Sequence, residues 1–188
     1  MPDDVKSVSR YEQDFAAWAH EQAAALRGAR DAMLRHGSND DVLEALDWEN
    51  LAEEIEGLAQ RDRRELASRI ALIIEHLAKL QHSPALDPRA GWTETVGRSR
   101  RDIQGILGDS PSLRQQVPAL IESNTHDAVR LAARSMTEHR ELTEAAAAHL
   151  PADYTLDQVL GDWWPEPPPA VHHAAGRRST PARTRRHD

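Results

Sequence analysis

The segment that decides the fold runs from Asp47 to Pro84 and reads "DWENLAEEIEGLAQRDRRELASRIALIIEHLAKLQHSP". Its large apolar side chains recur at three- and four-residue steps, the period of a helix with one buried face. These side chains are Leu51, Ile55, Leu58, Leu66, Ile70, Ile73, Leu77 and Leu80. Asp47 is a favourable N-cap residue, and Pro84 cannot continue a helix. The sequence therefore predicts one long helix whose apolar seam lies at the centre of a core.

The sequence before this segment also favours a helix. Good helix formers dominate, and no run alternates with the two-residue period of a half-buried strand. One apolar stripe recurs at helical spacing over about six turns. Its members are Tyr11, Phe15, Trp18, Gln22, Leu26, Ala29 and Met33. We expect a first helix that packs into the core along this stripe.

The sequence after Pro84 predicts further helices separated by clear boundary signals. A third helix ends near Gly108 in "GDSPSL", where Ser110 is a predicted N-cap and Pro111 takes the first helical position of the next helix. Thr155 and Gln158 have the spacing of a capping box and open a short terminal helix. The predicted fold class is all-α, a compact helical bundle of about five helices over residues 10–165.

Residues 166–188 are predicted to form a disordered tail rich in proline and arginine, because they contain too little apolar surface to fold alone. The chain has a net charge of −8, and the tail holds 5 of its 23 basic and 2 of its 31 acidic side chains. The remaining residues therefore hold 18 basic and 29 acidic groups, a net charge of −11. Such a body repels nucleic acid, so nonspecific contact with nucleic acid is expected only through the tail.

The composition excludes several kinds of chemistry. The chain has no cysteine, so it has no disulfide, thiolate metal site or cysteine nucleophile. It has no signal-like segment and no run of about 20 apolar residues, so we expect a cytoplasmic protein that does not enter a membrane. No glycine-rich phosphate loop is present, and no cofactor is predicted.

An acidic cluster near the start of the long helix raises the question of a metal site. Carboxylate-bound metals in bundles need inward-facing acids, often followed by a histidine three residues later. That pattern is missing, so we predict no metal and expect a solvated face near the positive end of the helix dipole. The cluster consists of Asp47, Glu49, Glu53, Glu54 and Glu56.

Arg69 and His76 are the candidate catalytic residues. A step of seven returns to nearly the same side of a helix, so Asp62, Arg69 and His76 share one face. The Arg-x6-His spacing resembles that of the HEPN ribonucleases, in which such a pair lies at a dimer interface. In that interpretation Arg69 holds a phosphate, His76 transfers a proton, and no metal is needed.

A structural interpretation competes with this one. Glu65 lies one turn before Arg69 at the favourable four-residue spacing. Asp62, Glu65 and Arg69 would then form an ion-pair cluster that closes the seam, with His76 hydrogen-bonded at its end. Because buried charges need partners, an ion-pair cluster is the commoner explanation for polar residues such as Asp62, Arg69 and His76 on one face of a helix.

Five segments, in this order along the chain, resemble a known family. They are "YEQDFAAWAHEQAAALR", "LDWENLAEEIEGL", "EHLAKLQ", "DSPSLR" and "YTLDQVLGDWWPE". Together they are similar to the bacterial family called domain of unknown function 29, over residues 10–166. The resemblance implies a compact all-helical domain, and the family has no established activity.

Two functions therefore remain open at the level of sequence. The first is a non-enzymatic protein-interaction or homo-oligomeric module whose partner is another protein or a second copy. Its motivation is that long heptad-like seams are natural interfaces. The second is the metal-independent ribonuclease that uses Arg69 and His76, with Asp62 and Glu65 as the supporting polar cluster.

Overall fold

The computed structural model describes residues 9–36, 43 and 45–168. The described residues form seven α-helices, one 3₁₀ helix and no strand, so the all-α prediction is confirmed. The predicted tail lies outside the described residues from position 169 onward. The elements are α1 Arg10–Gln13, α2 Phe15–His36, α3 Trp48–His82, α4 Arg89–Asp109, the 3₁₀ helix Pro111–Gln116, α5 Val117–Glu138, α6 Glu144–Ala147 and α7 Leu156–Leu160.

The long predicted helix is α3, and its ends lie where local hydrogen bonding allows a helix to begin and stop. The Asp47 side chain accepts a hydrogen bond from the backbone N–H of Asn50, as an N-cap does. At the other end, the N–H of Ser83 donates to the carbonyl of Lys79 before Pro84. The second half of the seam is fully buried, and it comprises Leu66, Ile70, Ile73, Leu77 and Leu80.

The three other long helices all pack on α3, but on different halves of it. α4 and α5 cover its second half, where Arg69 pairs with Asp102 of α4 and Arg63 donates to Gln116, the last residue before α5. α2 covers the first half and makes at most marginal contact with α4 and α5 in the described residues. We call α2 and residues 48–61 the arm, and we call residues 62–142 the body.

Asp14 and Ser112 form one connection between the arm and the body. Asp14 is buried between α1 and α2, and its carboxylate accepts hydrogen bonds from the N–H of Ala17 and from the N–H and hydroxyl of Ser112. Burial alone would raise the pKa of Asp14, but these hydrogen bonds outweigh it and hold the pKa below its usual value.

Ser110 forms a second connection, and it takes the predicted N-cap position before Pro111, although its side chain does not cap the helix. It makes no capping hydrogen bond to the 3₁₀ helix that follows it. Its hydroxyl instead accepts from the N–H of Ala16 at 3.2 Å and donates to Asp62 at 3.2 Å. Because Ser110 is fully buried, the start of α2 and the middle of α3 are fixed to the same point.

Arg140 follows the C-terminal end of α5 with a φ of 59°, a left-handed conformation that favours glycine. The N–H of Glu141 then donates to the carbonyl of Met136 at 2.8 Å and closes the helix end.

We expect Arg140→Gly to raise the free energy of unfolding by about 1 kcal/mol in urea denaturation. His139→Gly is the matched control, since His139 has a φ of −86°. An equal gain in both variants would contradict this explanation.

Candidate functional site

Arg69 lies between two carboxylates. Its Nε donates to Glu65 at 2.6 Å, and its Nη1 lies 3.0 Å from Asp102 on α4. The sequence pattern identified Glu65 as a neighbour, but it gave no sign of Asp102, which is 33 positions away and reaches Arg69 only through helix packing. The partly exposed guanidinium therefore ties α3 to α4.

Asp62 and His76 lie apart from this pair. Asp62 bonds to Ser110, so it does not join the expected cluster with Arg69. The Nδ1 atom of His76 is buried and makes no hydrogen bond of good geometry in the described part of the chain, although the backbone of Leu72 lies close enough to act on its pKa. Burial lowers the pKa of His76, and the Glu75 carboxylate offsets part of this effect. His76 therefore does not contact Arg69 or Asp62, and its nearest polar neighbour is the backbone of Leu72 one turn earlier.

The acidic cluster faces α2 rather than solvent alone. Glu49 pairs with both Arg27 and Arg30, and Glu56 pairs with Arg27 at 2.9 Å. These ion pairs join the two helices of the arm along one edge. Within residues 9–36, 43 and 45–168, no group of three or more histidine or acidic side chains is arranged to hold a metal ion.

The helices of the arm touch through small residues, and the expected packing of α2 was wrong. The buried residues of α2 are Ala16, Ala19 and Ala23, and the buried residues of α3 before position 62, where α2 packs on it, are Ala52 and Ala59. None of these alanines of α2 belongs to the predicted stripe of large residues. Alanines let two helix axes approach closely, so the intramolecular contact uses this face instead.

The predicted stripe of α2 forms the flank of the arm. Phe15, Trp18, Leu26 and Met33 are half-buried, and Tyr11 just before them is 52% exposed. Tyr11, Phe15 and Trp18 form an aromatic cluster with ring centroids 4.8 to 5.8 Å apart. Among these side chains only Trp18 packs against the edge of the core.

The first part of the α3 seam lies on the same flank. Leu51 is 42% exposed, and Ile55 and Leu58 are half-buried. In each of these two helices the large side chains come one residue before the buried alanines, an offset of about a quarter turn. Because α2 and α3 run antiparallel, this offset places the large side chains of both helices on the same side of the pair. Trp18 and Ile55 both pack against the core edge, as this arrangement requires. We call these residues of α2 and α3 the apolar face of the arm.

Arg100 is a buried cation on α4. It is 9% exposed and donates to the carbonyls of Gln158, Val159 and Trp163. Its guanidinium also lies 4.8 Å from the ring centroid of Trp164. Burial lowers the pKa of Arg100, and two nearby acids offset part of the effect. Arg100 thus binds the C-terminal end of α7 to the body.

These features define the class of protein: it is an all-α domain built around one long helix, with an arm that other helices cover only in part. The chain belongs to the family described as domain of unknown function DUF29, whose model matches residues 10–164. The crystal structure of an alpha-helical protein of unknown function from Rhodospirillum rubrum is similar to it, with a TM-score of 0.64 and 24% identity. That alignment covers 82% of this chain and 91% of the other. No curated protein matches the sequence. Within the described residues, no helix is both long and apolar enough to cross a membrane.

Replacing Arg100 tests its role as the anchor of α7. Arg100→Met removes the donors of three backbone carbonyls, so we expect the free energy of unfolding to fall by about 3 kcal/mol in urea denaturation. Arg101→Met is the control, because Arg101 is exposed on the same helix. Similar losses in the two variants would show that Arg100 has no special role.

The buried histidine predicts a pH dependence of stability. Because the folded-state pKa of His76 is lowered, its neutral form stabilises the fold above the unfolded pKa of about 6.5. That contribution is lost as the pH falls below this value. We expect His76→Gln to reduce the loss of unfolding free energy between about pH 7 and pH 5. The exposed His126, changed to Gln, should leave it as in the wild type, and equal slopes for all three proteins would contradict the prediction.

Proposed function

We propose that the protein is a non-enzymatic, cytoplasmic interaction module whose binding surface is the apolar face of the arm. One observation supports this above all: the arm buries its alanines and leaves its large apolar side chains half-covered. The body shows the opposite arrangement along α3, where the large side chains of the seam from Leu66 to Leu80 are at or near full burial. Two helices of one chain thus form a surface whose apolar side chains a third or fourth helix would cover.

The free energy available at this surface is large. Complete burial of an apolar side chain is worth about 1.5–3 kcal/mol relative to full exposure, and the side chains here are about halfway. Contiguous apolar patches of this kind on soluble proteins usually mark sites of interaction. The flank holds seven large apolar side chains between Phe15 and Leu58 along one side, namely Phe15, Trp18, Leu26, Met33, Leu51, Ile55 and Leu58.

The surface is formed before any partner arrives. Arg27 and Arg30 join α2 to Glu49 and Glu56 of α3, and Ser110 fixes the base of the arm. A preorganised surface loses less conformational entropy on binding than a flexible one, so more of its apolar burial contributes to affinity. The edge formed by these ion pairs lies away from the apolar face, and Glu54, one turn before Leu58, lies on the rim of that face.

The ribonuclease that uses Arg69 and His76 stays a competing prediction. In it, Arg69 would have to exchange Glu65 or Asp102 for a phosphate, and a substrate would have to reach the half-buried ring of His76. The neutral imidazole suits a general base. No contact in the described residues favours this function over an interaction module.

Photocrosslinking tests the interaction module without assuming its partner. A photoreactive amino acid at position 51 lies on the apolar face, and one at position 131 lies on the body with similar exposure, 42% against 49% for the leucines replaced. In cells of the source organism, position 51 should give discrete covalent adducts and position 131 should not. Absence of adducts at position 51, or the same adducts at both, would refute the proposal.

A further inference from the structure

We infer that the apolar face of the arm binds the arm of a second copy of this chain, packed antiparallel to the first. This inference rests on the proposed function and names its partner. Two such arms, face to face, form a four-helix bundle in which each apolar flank is covered by the other. The interface is isologous, so every favourable contact occurs twice.

The side of α3 that carries the face provides the first argument. Eighteen residues make five complete turns of helix, so Leu51, Ile55 and Leu58 lie directly in line with residues 69, 73 and 76. Arg69 on this side contacts Asp102 of α4. α4 therefore occupies this side of α3 in the body, but it ends at Asp109, beside Asp62. Beyond that point the same side of α3 has no covering helix among the described residues.

The orientation follows from the position of the body. Because α4 fills the same side of α3 beyond the arm, a parallel copy would bring its own body against this one. An antiparallel copy places its arm in line with α4 and its body beyond the tip of the first arm. The two bodies then lie at opposite ends, and only the arms overlap.

The distribution of side-chain size along α2 provides a second argument. The flank is bulky at its beginning, where Tyr11, Phe15 and Trp18 cluster. Further along, the flank and its rim carry the small residues Ala25 and Ala29, both exposed. An antiparallel second copy sets the bulky part of each flank against the small part of the other. Interdigitation of large and small side chains gives the packing density of a stable helical interface.

The area of the face is sufficient for a dimer. From Phe15 to Met33 the flank is about 28 Å long, and two helices are about 20 Å wide. Each copy therefore offers about 600 Å², and the pair buries about 1,200 Å² in total, which is at the lower end of specific, stable interfaces. We expect a dimer that dissociates on dilution rather than an obligate one.

Sedimentation equilibrium of the full chain tests the inference. The wild type should approach twice the chain mass of 21.0 kDa as concentration rises. Leu51→Lys places a charge in the face and should raise the dimer dissociation constant at least tenfold. Leu131→Lys on the body is the matched control and should leave it unchanged. Both leucines are largely exposed, so neither variant is expected to lose its fold.

A third variant tests the antiparallel fit. Ala29→Trp enlarges the small part of the flank at an exposed position, so it should also weaken the dimer at least tenfold without lowering stability. A wild type that stays monomeric at all concentrations would overturn the inference, as would equal dissociation constants for the two lysine variants. If the wild type is monomeric but position 51 forms adducts with a different protein in cells, the interaction module stands and the second copy is excluded. If position 51 forms no adducts either, both proposals fail.

Discussion

The length of α3 is the constraint on which the rest of the structure depends. It has 35 residues and spans about 52 Å, whereas α2, α4 and α5 have 22, 21 and 22 residues and span about 32 Å each. No single partner can cover such a helix, so α2 meets its first half while α4 and α5 meet its second. The body therefore has three helices around the seam, and the arm has two. An apolar side left partly uncovered is a direct consequence of this difference in length.

The parts of the fold that depend on nearby residues were predictable from the sequence. Asp47 caps α3 through Asn50, and Thr155 caps α7 through Gln158, each within three positions. The packing of α2 was not predictable, because a stripe of large side chains shows what avoids water but not which surface covers it. The partners of Arg100 lie 58 to 63 positions away and those of Ser110 lie 48 to 94 positions away. Such contacts exist only once the helices have packed.

The candidate catalytic residues Arg69 and His76 and the α3 part of the apolar face of the arm lie on the same side of α3. In the body this side carries Arg69 and His76, and α4 covers it with Asp102 as the counter-charge. In the arm the same side carries Leu51 and Leu58, and α4 no longer reaches it. In the body the helix that covers this side belongs to the same chain and pairs with a charge. In the proposed dimer the helices that cover the arm belong to a second copy and pack against apolar side chains. The family match and the similar crystal structure establish the fold, and the proposed function rests on this one side of α3.

Dipolar spectroscopy on single spin labels tests the account most directly, because a chain without cysteine accepts one introduced thiol cleanly. A label at Glu53→Cys lies on the arm but away from its apolar face, and a label at Leu86→Cys lies at the far end of the body. Antiparallel pairing of arms predicts a coupling between copies for the label at position 53 and none at position 86. No coupling at position 53, or coupling at position 86 alone, would contradict it.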